Sequence, residues 1–147
     1  MKTLFKTAST DKSYGPLALR IPVGIIFMAH GAQKLFGWFG GPGLDGAAGW
    51  MESIGLSPGL LMALLAGSAE FFGGLALILG LLTRPAAALL SVTMLVAIFS
   101  VHIQNGFFMS ANGYEFALAL LAASVSLLLS GGGKLSVDNM LYKKMSQ

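Results

Sequence analysis

Five ionisable side chains sit inside or at the ends of apolar sequence: His30, Lys34, Glu70, His102 and Glu115. A charge at the centre of a bilayer costs about 2.5–3.5 kcal/mol on the insertion scale. Sequences keep such residues where they pair, line a cavity or carry chemistry. Imidazole and ammonium groups donate hydrogen bonds to a substrate oxygen, and a carboxylate beside them relays a proton. His30 and Lys34 are four apart and share one face of a helix. Glu70, the deepest of the five, is the expected proton relay, with Lys34 as its counter-charge. The expected catalytic residues are therefore Glu70, His30 and Lys34. The expected ligand contacts are His30, Lys34, His102 and Glu115. Plainer roles compete with these. Lys34 could snorkel to the headgroups, His102 and Glu115 could be ordinary interface residues, and a Glu70–Lys34 pair could serve only to fix helix register.

The elements that must position these residues follow from composition. Of 147 residues, 55% are hydrophobic and only 10% charged, against about 25% charged in a soluble domain. Too little polar surface remains to cover a water-soluble globule, so the apolar surplus must face lipid. Cysteine is absent, which excludes disulfides, thiolate metal sites, covalent c-type haem and thiol redox chemistry. No metal site is expected. The net charge of +3 comes without a basic run of the kind that binds nucleic acid.

Four apolar segments approach the roughly 20 residues needed to cross about 30 Å of hydrocarbon. They run over about 17–39, 58–82, 85–103 and 114–129, and helices are the only structure such runs can adopt in lipid. The expected fold is all-α, a four-transmembrane-helix bundle over 17–130. Basic tails flank it at 1–16 and 131–147, with Ser136 placed to cap a final short helix. A basic tail before an apolar run is also the pattern of a cleaved signal peptide, but the first run is long enough to span and lacks a clean small-x-small site before Lys34. The Gly-rich stretch 40–57 is too short to span and reads as an interfacial or re-entrant segment.

Orientation follows from the basic residues. Lys2, Lys6 and Lys12 lie in the first tail, Arg84 in the second connection, and Lys134, Lys143 and Lys144 in the last tail. The other two loops hold Asp45 and Glu52 but no Lys or Arg. Positive residues stay inside, so both ends are cytoplasmic. With that topology His30, Lys34, His102 and Glu115 all fall in the outer half, and Glu70, about 18 Å along its helix, lies just beneath them. Small residues share the face of each glutamate: Gly59, Ala63, Gly67 and Gly74 with Glu70, and Ala119, Ala122 and Ser126 with Glu115. Such stripes mark close helix packing, inside one bundle or in a homo-oligomer. Trp38, Phe39 and Trp50 read as an outer aromatic belt. Two histidines on different helices at similar depth also allow haem b ligation, although no further haem signal accompanies them.

Two motifs resemble a known family, the DoxX-like membrane proteins. The first is Gly24-x-x-Phe27-x-x-His30-Gly31-x-x-Lys34-Leu35-x-Gly37. The second is Glu70-x-x-Gly73-Gly74-x-x-Leu77-x-x-Gly80-Leu81-x-Thr83-Arg84. His102 matches a histidine that often follows the third span, and Gly131 to Asp138 resembles the family's ending. The resemblance covers about residues 15–142 and implies a multi-pass protein of the bacterial inner membrane. It also implies a quinone or oxidative-stress connection, since the family is named after a subunit of a thiosulfate:quinone oxidoreductase. Nothing here is peculiar to that enzyme's sulfur chemistry.

Three function classes follow. One is a quinone-linked oxidoreductase or its membrane subunit, with quinone as cofactor and a partner protein supplying electrons. In it His30 and Lys34 hold a carbonyl oxygen, Glu70 relays protons, and His102 and Glu115 link the relay to the outer surface. The second is a non-catalytic membrane adaptor that anchors a redox or stress-response partner. The third, a small carrier or proton-coupled channel, is disfavoured by the lack of repeats and of broken midplane helices. Gly40-Gly41-Pro42-Gly43 is not a dinucleotide fingerprint, because no strand precedes it.

Overall fold

The structure is a computed structural model that describes residues 13–146. Among these residues all regular structure is helical. The main helices are α1 (Gly15–Phe36), α2 (Gly43–Ser53), α3 (Gly59–Leu79), α4 (Thr83–Ala97), α5 (Glu115–Ser130) and α6 (Val137–Met145). A π-turn over Ile98–His102 and a short 3-10 turn carry α4 on to Asn105. Three helices are long and apolar enough to cross a membrane: α1, α3 and the continuous Thr83–Asn105. α5 is apolar but has 16 residues, about 24 Å at 1.5 Å per residue. The basic tail expected over 1–16 lies largely outside the described residues.

Helix ends follow local chemistry. α1 starts with a proline in its first turn and stops at Gly37, which is left-handed with φ of 70°. α3 ends at Gly80, φ 67°. There Gly80 N donates to Leu77 O and Leu81 N to Ala76 O, the paired bonds of a Schellman ending. At the start of α3, both oxygens of Glu52 are used: one accepts from Ser57 Oγ and the other from Gly59 N. α2, in the 40–57 connection, buries Ala47 and Met51 against Ala63 of α3.

α1 and α3 form the tightest pair. A Cβ placed on Gly24 would lie 2.7 Å from Gly74 O, and one on Gly74 would lie 2.6 Å from Gly24 O. A Cβ on Gly31 would meet Gly67 O at 2.7 Å. Real side chains do not tolerate such approaches, so glycine at both seven-residue spacings sets how closely the backbones cross. The expected stripe on the second apolar helix is buried as read: Gly59, Ala63, Gly67, Glu70 and Gly74 all face inward. The expected stripe on the fourth is not. α5 buries Ala117, Leu120, Ser124 and Leu127 and leaves Ala119, Ala122 and Ser126 exposed. The leucine face fills the core beside Leu77, Leu90 and Met94, which a row of small side chains would leave hollow.

One end of the bundle is closed by polar bonds that connect distant segments. Arg20, 1% exposed, donates to the carbonyls of Leu77, Ile78, Gly132 and Leu135. It thereby satisfies the last turn of α3 and fastens the 131–135 strap beneath it. Asp138 is fully buried and accepts from Leu82 N and Thr83 N at 2.7 and 2.9 Å, capping the start of α4. Arg84 Nη2 donates to Leu129 O at the end of α5. Ser136 caps α6 by accepting from Asn139 N. Residues 131–146 are therefore docked on the bundle rather than trailing from it.

Replacing Arg20 with Leu removes the partner of four carbonyls, two of them in buried bonds, and hydrogen bonds to charged groups contribute about 1.5–3 kcal/mol each. Thermal unfolding in detergent is expected to show a large loss of stability for Arg20→Leu. Arg20→Lys should recover little, since a point ammonium cannot reproduce the planar fork. A second expectation concerns Glu52. The hydroxyl of Ser57, and then the Gly59 amide, hold its carboxyl below the ordinary glutamate range. A lowered native value stabilises the α2–α3 junction above the ordinary range, and this is lost as pH falls through the lowered value. Trp50 emission in a Trp38→Phe background should therefore report junction opening at acid pH. The transition should disappear in Glu52→Gln.

Candidate functional site

The glycine crossing decides where Lys34 goes. A Cβ on Gly67 would lie 3.3 Å from Lys34 Cβ, so the bare backbone of α3 makes room for the lysine stem. Glu70 is one turn along the same face. Lys34 Nζ reaches Glu70 Oε2 at 2.6 Å, with side chains 23% and 6% exposed. Desolvating two charges is costly, and the pairing compensates only because the geometry is tight. The pair is nonetheless incompletely used. Among the described residues Oε1 of Glu70 has no hydrogen-bond partner, and Nζ keeps two donors beyond its one bond.

His30 lies one turn before Lys34 on α1. Its ring is 6.2 Å from that of Phe116, tilted by 47°, and it makes no hydrogen bond to the described residues. Both groups face a cavity of about 1130 Å³. The walls come from α1 (Phe27, His30, Lys34), α2 (Trp50, Met51), the first two thirds of α3, α4 from Leu89 onward, and α5 (Phe116, Ala117, Leu120). Apart from the Lys34–Glu70 pair and the two histidines the lining is mainly apolar, with Ser68, Thr93 and Asn112 as the neutral polar exceptions.

His102 lines the same cavity, at the close of the π-turn. A carbonyl only accepts, so its Nδ1–H donates to Asn112 O at 2.9 Å. In the neutral ring that leaves the lone pair on Nε2. Asn105 Nδ2 donates to the same carbonyl. Glu115 is not part of the cavity wall. Its Oε1 accepts from Met109 N at 2.7 Å, and its backbone N donates to Phe107 O. It braces the 106–115 loop, and Met109, Asn112 and Gly113 of that loop close over the cavity.

The structure thus brings four of the five expected residues to one cavity and sets Glu115 behind it. Sequence reading passed over Arg20, and it met Asp138 only as the end of the family-like closing stretch, without a role. A signal for Arg20 was present: a charge a few residues into an apolar run. The role of Asp138 had no local signal, because its partners are backbone amides more than 50 positions away.

Residues 15–103 match the sequence model of the DoxX family. An uncharacterised protein of Haemophilus influenzae is 39% identical over 86% of this chain and 90% of its own length. A Bacillus subtilis protein provisionally named an oxidoreductase, CatD, is 34% identical over 90% of this chain and 92% of its own. Inner membrane protein YqjF of Escherichia coli is 33% identical over 88% of this chain and 94% of its own. No solved structure matches the chain significantly.

Removing one partner of the buried pair should cost far more than removing both. Lys34→Met leaves a carboxylate without its counter-charge, at a cost of about 3–5 kcal/mol. The double variant Lys34→Met/Glu70→Leu should unfold near the wild-type point. Denaturant titration in mixed micelles measures both.

Proposed function

This chain belongs to the DoxX family, and we propose that it is a multi-pass inner-membrane protein that cycles a quinone between its oxidised and reduced forms. The observation that carries this reading is the half-satisfied Lys34–Glu70 pair at the wall of an apolar cavity, with His30 beside it. A quinone is a flat, uncharged ring that takes up two electrons and two protons. The cavity offers what such a ring needs: apolar walls, donors for a carbonyl oxygen and a carboxylate for proton exchange. Lys34 Nζ donates to one ring oxygen. Glu70 Oε1 accepts a proton from a ring hydroxyl or returns one. His30, on the same helix face as Lys34, gives a second proton-exchanging group. His102 stands between these groups and the outer surface. Lysine, glutamate and histidine move protons rather than electrons, so the electrons come from a partner protein. The provisional naming of CatD as an oxidoreductase supports the redox reading.

The same reading places the chain across the membrane four times with both ends cytoplasmic. Arg20, Arg84, Lys134, Lys143 and Lys144 gather at one end of the bundle, whereas Asp45 and Glu52 lie at the other. That distribution matches the positive-inside rule. α5 is short for a span, a mismatch that local thinning of the bilayer accommodates at modest cost.

Trp50 lines the cavity, which makes it a reporter. In nanodiscs, a Trp38→Phe protein titrated with decylubiquinone should show saturable quenching of Trp50. Loss of a charged hydrogen bond corresponds to roughly tenfold or more in affinity. The Lys34→Met/Glu70→Leu variant, chosen because it keeps the fold, should bind that much more weakly. Equal affinity in the two proteins would sink the reading. The pair would then be a packing device, and the chain an adaptor.

A further inference from the structure

The cavity opens to the outside of the bundle along the α3–α4 seam, where its rim is apolar. α3 and α4 run antiparallel from the turn at Leu79–Thr83. Up to Gly73 and Leu90 they are in contact: a Cβ on Gly73 would lie 3.1 Å from Leu90 Cγ. Beyond that level both helices present cavity wall. Leu65, Phe72 and Val92 line the cavity yet expose 57%, 60% and 57% of their surface. A residue that is both wall and outer surface marks the rim of an opening.

The opening and the polar groups behind it select a ligand. Lys34 and Glu70 neutralise each other, so the site offers hydrogen bonds without a net charge from the pair. An anionic lipid headgroup entering there would lose hydration and gain no uncompensated cation, which is unfavourable in low dielectric. A neutral ring with oxygens suits it. A volume of about 1130 Å³ slightly exceeds the range of about 300–1,000 Å³ typical of small-molecule sites, more than a bare ring fills. We infer that the seam between α3 and α4, above Gly73 and Leu90, is a lateral portal for the polyprenyl tail of a membrane quinone whose ring sits at Lys34 and Glu70. This rests on the quinone reading above and adds the substrate class and its route: the molecule arrives from the bilayer, not from water.

The tail contributes to affinity through apolar contact at the rim, at about 25 cal/mol per Å² removed from water and less where the alternative is lipid. Its main effect is steric selection. The test compares decylubiquinone with tail-less ubiquinone-0 in nanodiscs, with both dissociation constants expressed as mole fraction in lipid so that partitioning cancels. Wild-type protein should favour the tailed probe by at least about tenfold. Val92→Trp and Leu65→Trp, which place an indole across the seam, should bring that ratio to about one, whereas Val92→Leu should preserve it. A wild-type ratio near one, with both probes still bound, overturns the portal and leaves the quinone site standing. An undiminished ratio in both tryptophan variants overturns it as well. Failure of both probes to bind wild-type protein defeats the quinone reading itself and the portal with it.

Discussion

The close crossing of α1 and α3 is the constraint on which the rest of the structure depends. Gly24 and Gly31 on one helix and Gly67 and Gly74 on the other let the two backbones touch. In lipid there is no hydrophobic drive to bring helices together, so packing of this kind supplies the association. It also fixes register. With Gly67 under the stem of Lys34, the ammonium has one reachable carboxylate, and Glu70 cannot turn toward lipid without leaving its partner. A side chain at any of these glycines would separate the helices and the charges together. The ion pair is thus a consequence of the packing as much as a support for it.

The two ends of the bundle are built on opposite principles. At the basic end, arginine forks and a buried aspartate close three helix termini. Arg20 serves the end of α3, Arg84 the end of α5, and Asp138 the start of α4. Each satisfies backbone groups that have no intrahelical partner, and each complements the local helix dipole. At the other end, polar groups are held in place but left partly unsatisfied. Among the described residues, Glu70 keeps one oxygen without a partner, Lys34 two donors, and His30 both ring nitrogens. A fold that ties its helix termini together at one end and leaves polar groups open around a cavity at the other has a stable base and a site available to a ligand.

The loop over residues 106–115 belongs to this division. It is short of apolar core, yet its backbone is tied to itself and to Glu115, and His102 is bound to its Asn112 carbonyl. An ionisable residue that looks like part of the site can instead hold the cover of the site in place. Sequence spacing puts Glu115 and His102 at the same depth, and only their hydrogen-bond partners separate the two roles.

The sequence by itself determined that the chain lives in a bilayer, because apolar surface in such excess has nowhere else to go. It determined the helices, since runs of that length admit no other backbone in lipid, and it determined the inward face of α3, where small residues and Glu70 recur at helical spacing. Ser136 was legible as a cap for the same reason: its signal is local. What only the tertiary structure decided are the matters that depend on partners far along the chain. The face that α5 buries was set by the volume that α4 and α3 leave to fill, and leucines fill it where the small residues cannot. The parts played by Arg20 and Asp138 rest on bonds to backbone carbonyls and amides 55 to 115 positions away. Every residue carries those backbone groups alike, so no side-chain pattern announces which ones will be met.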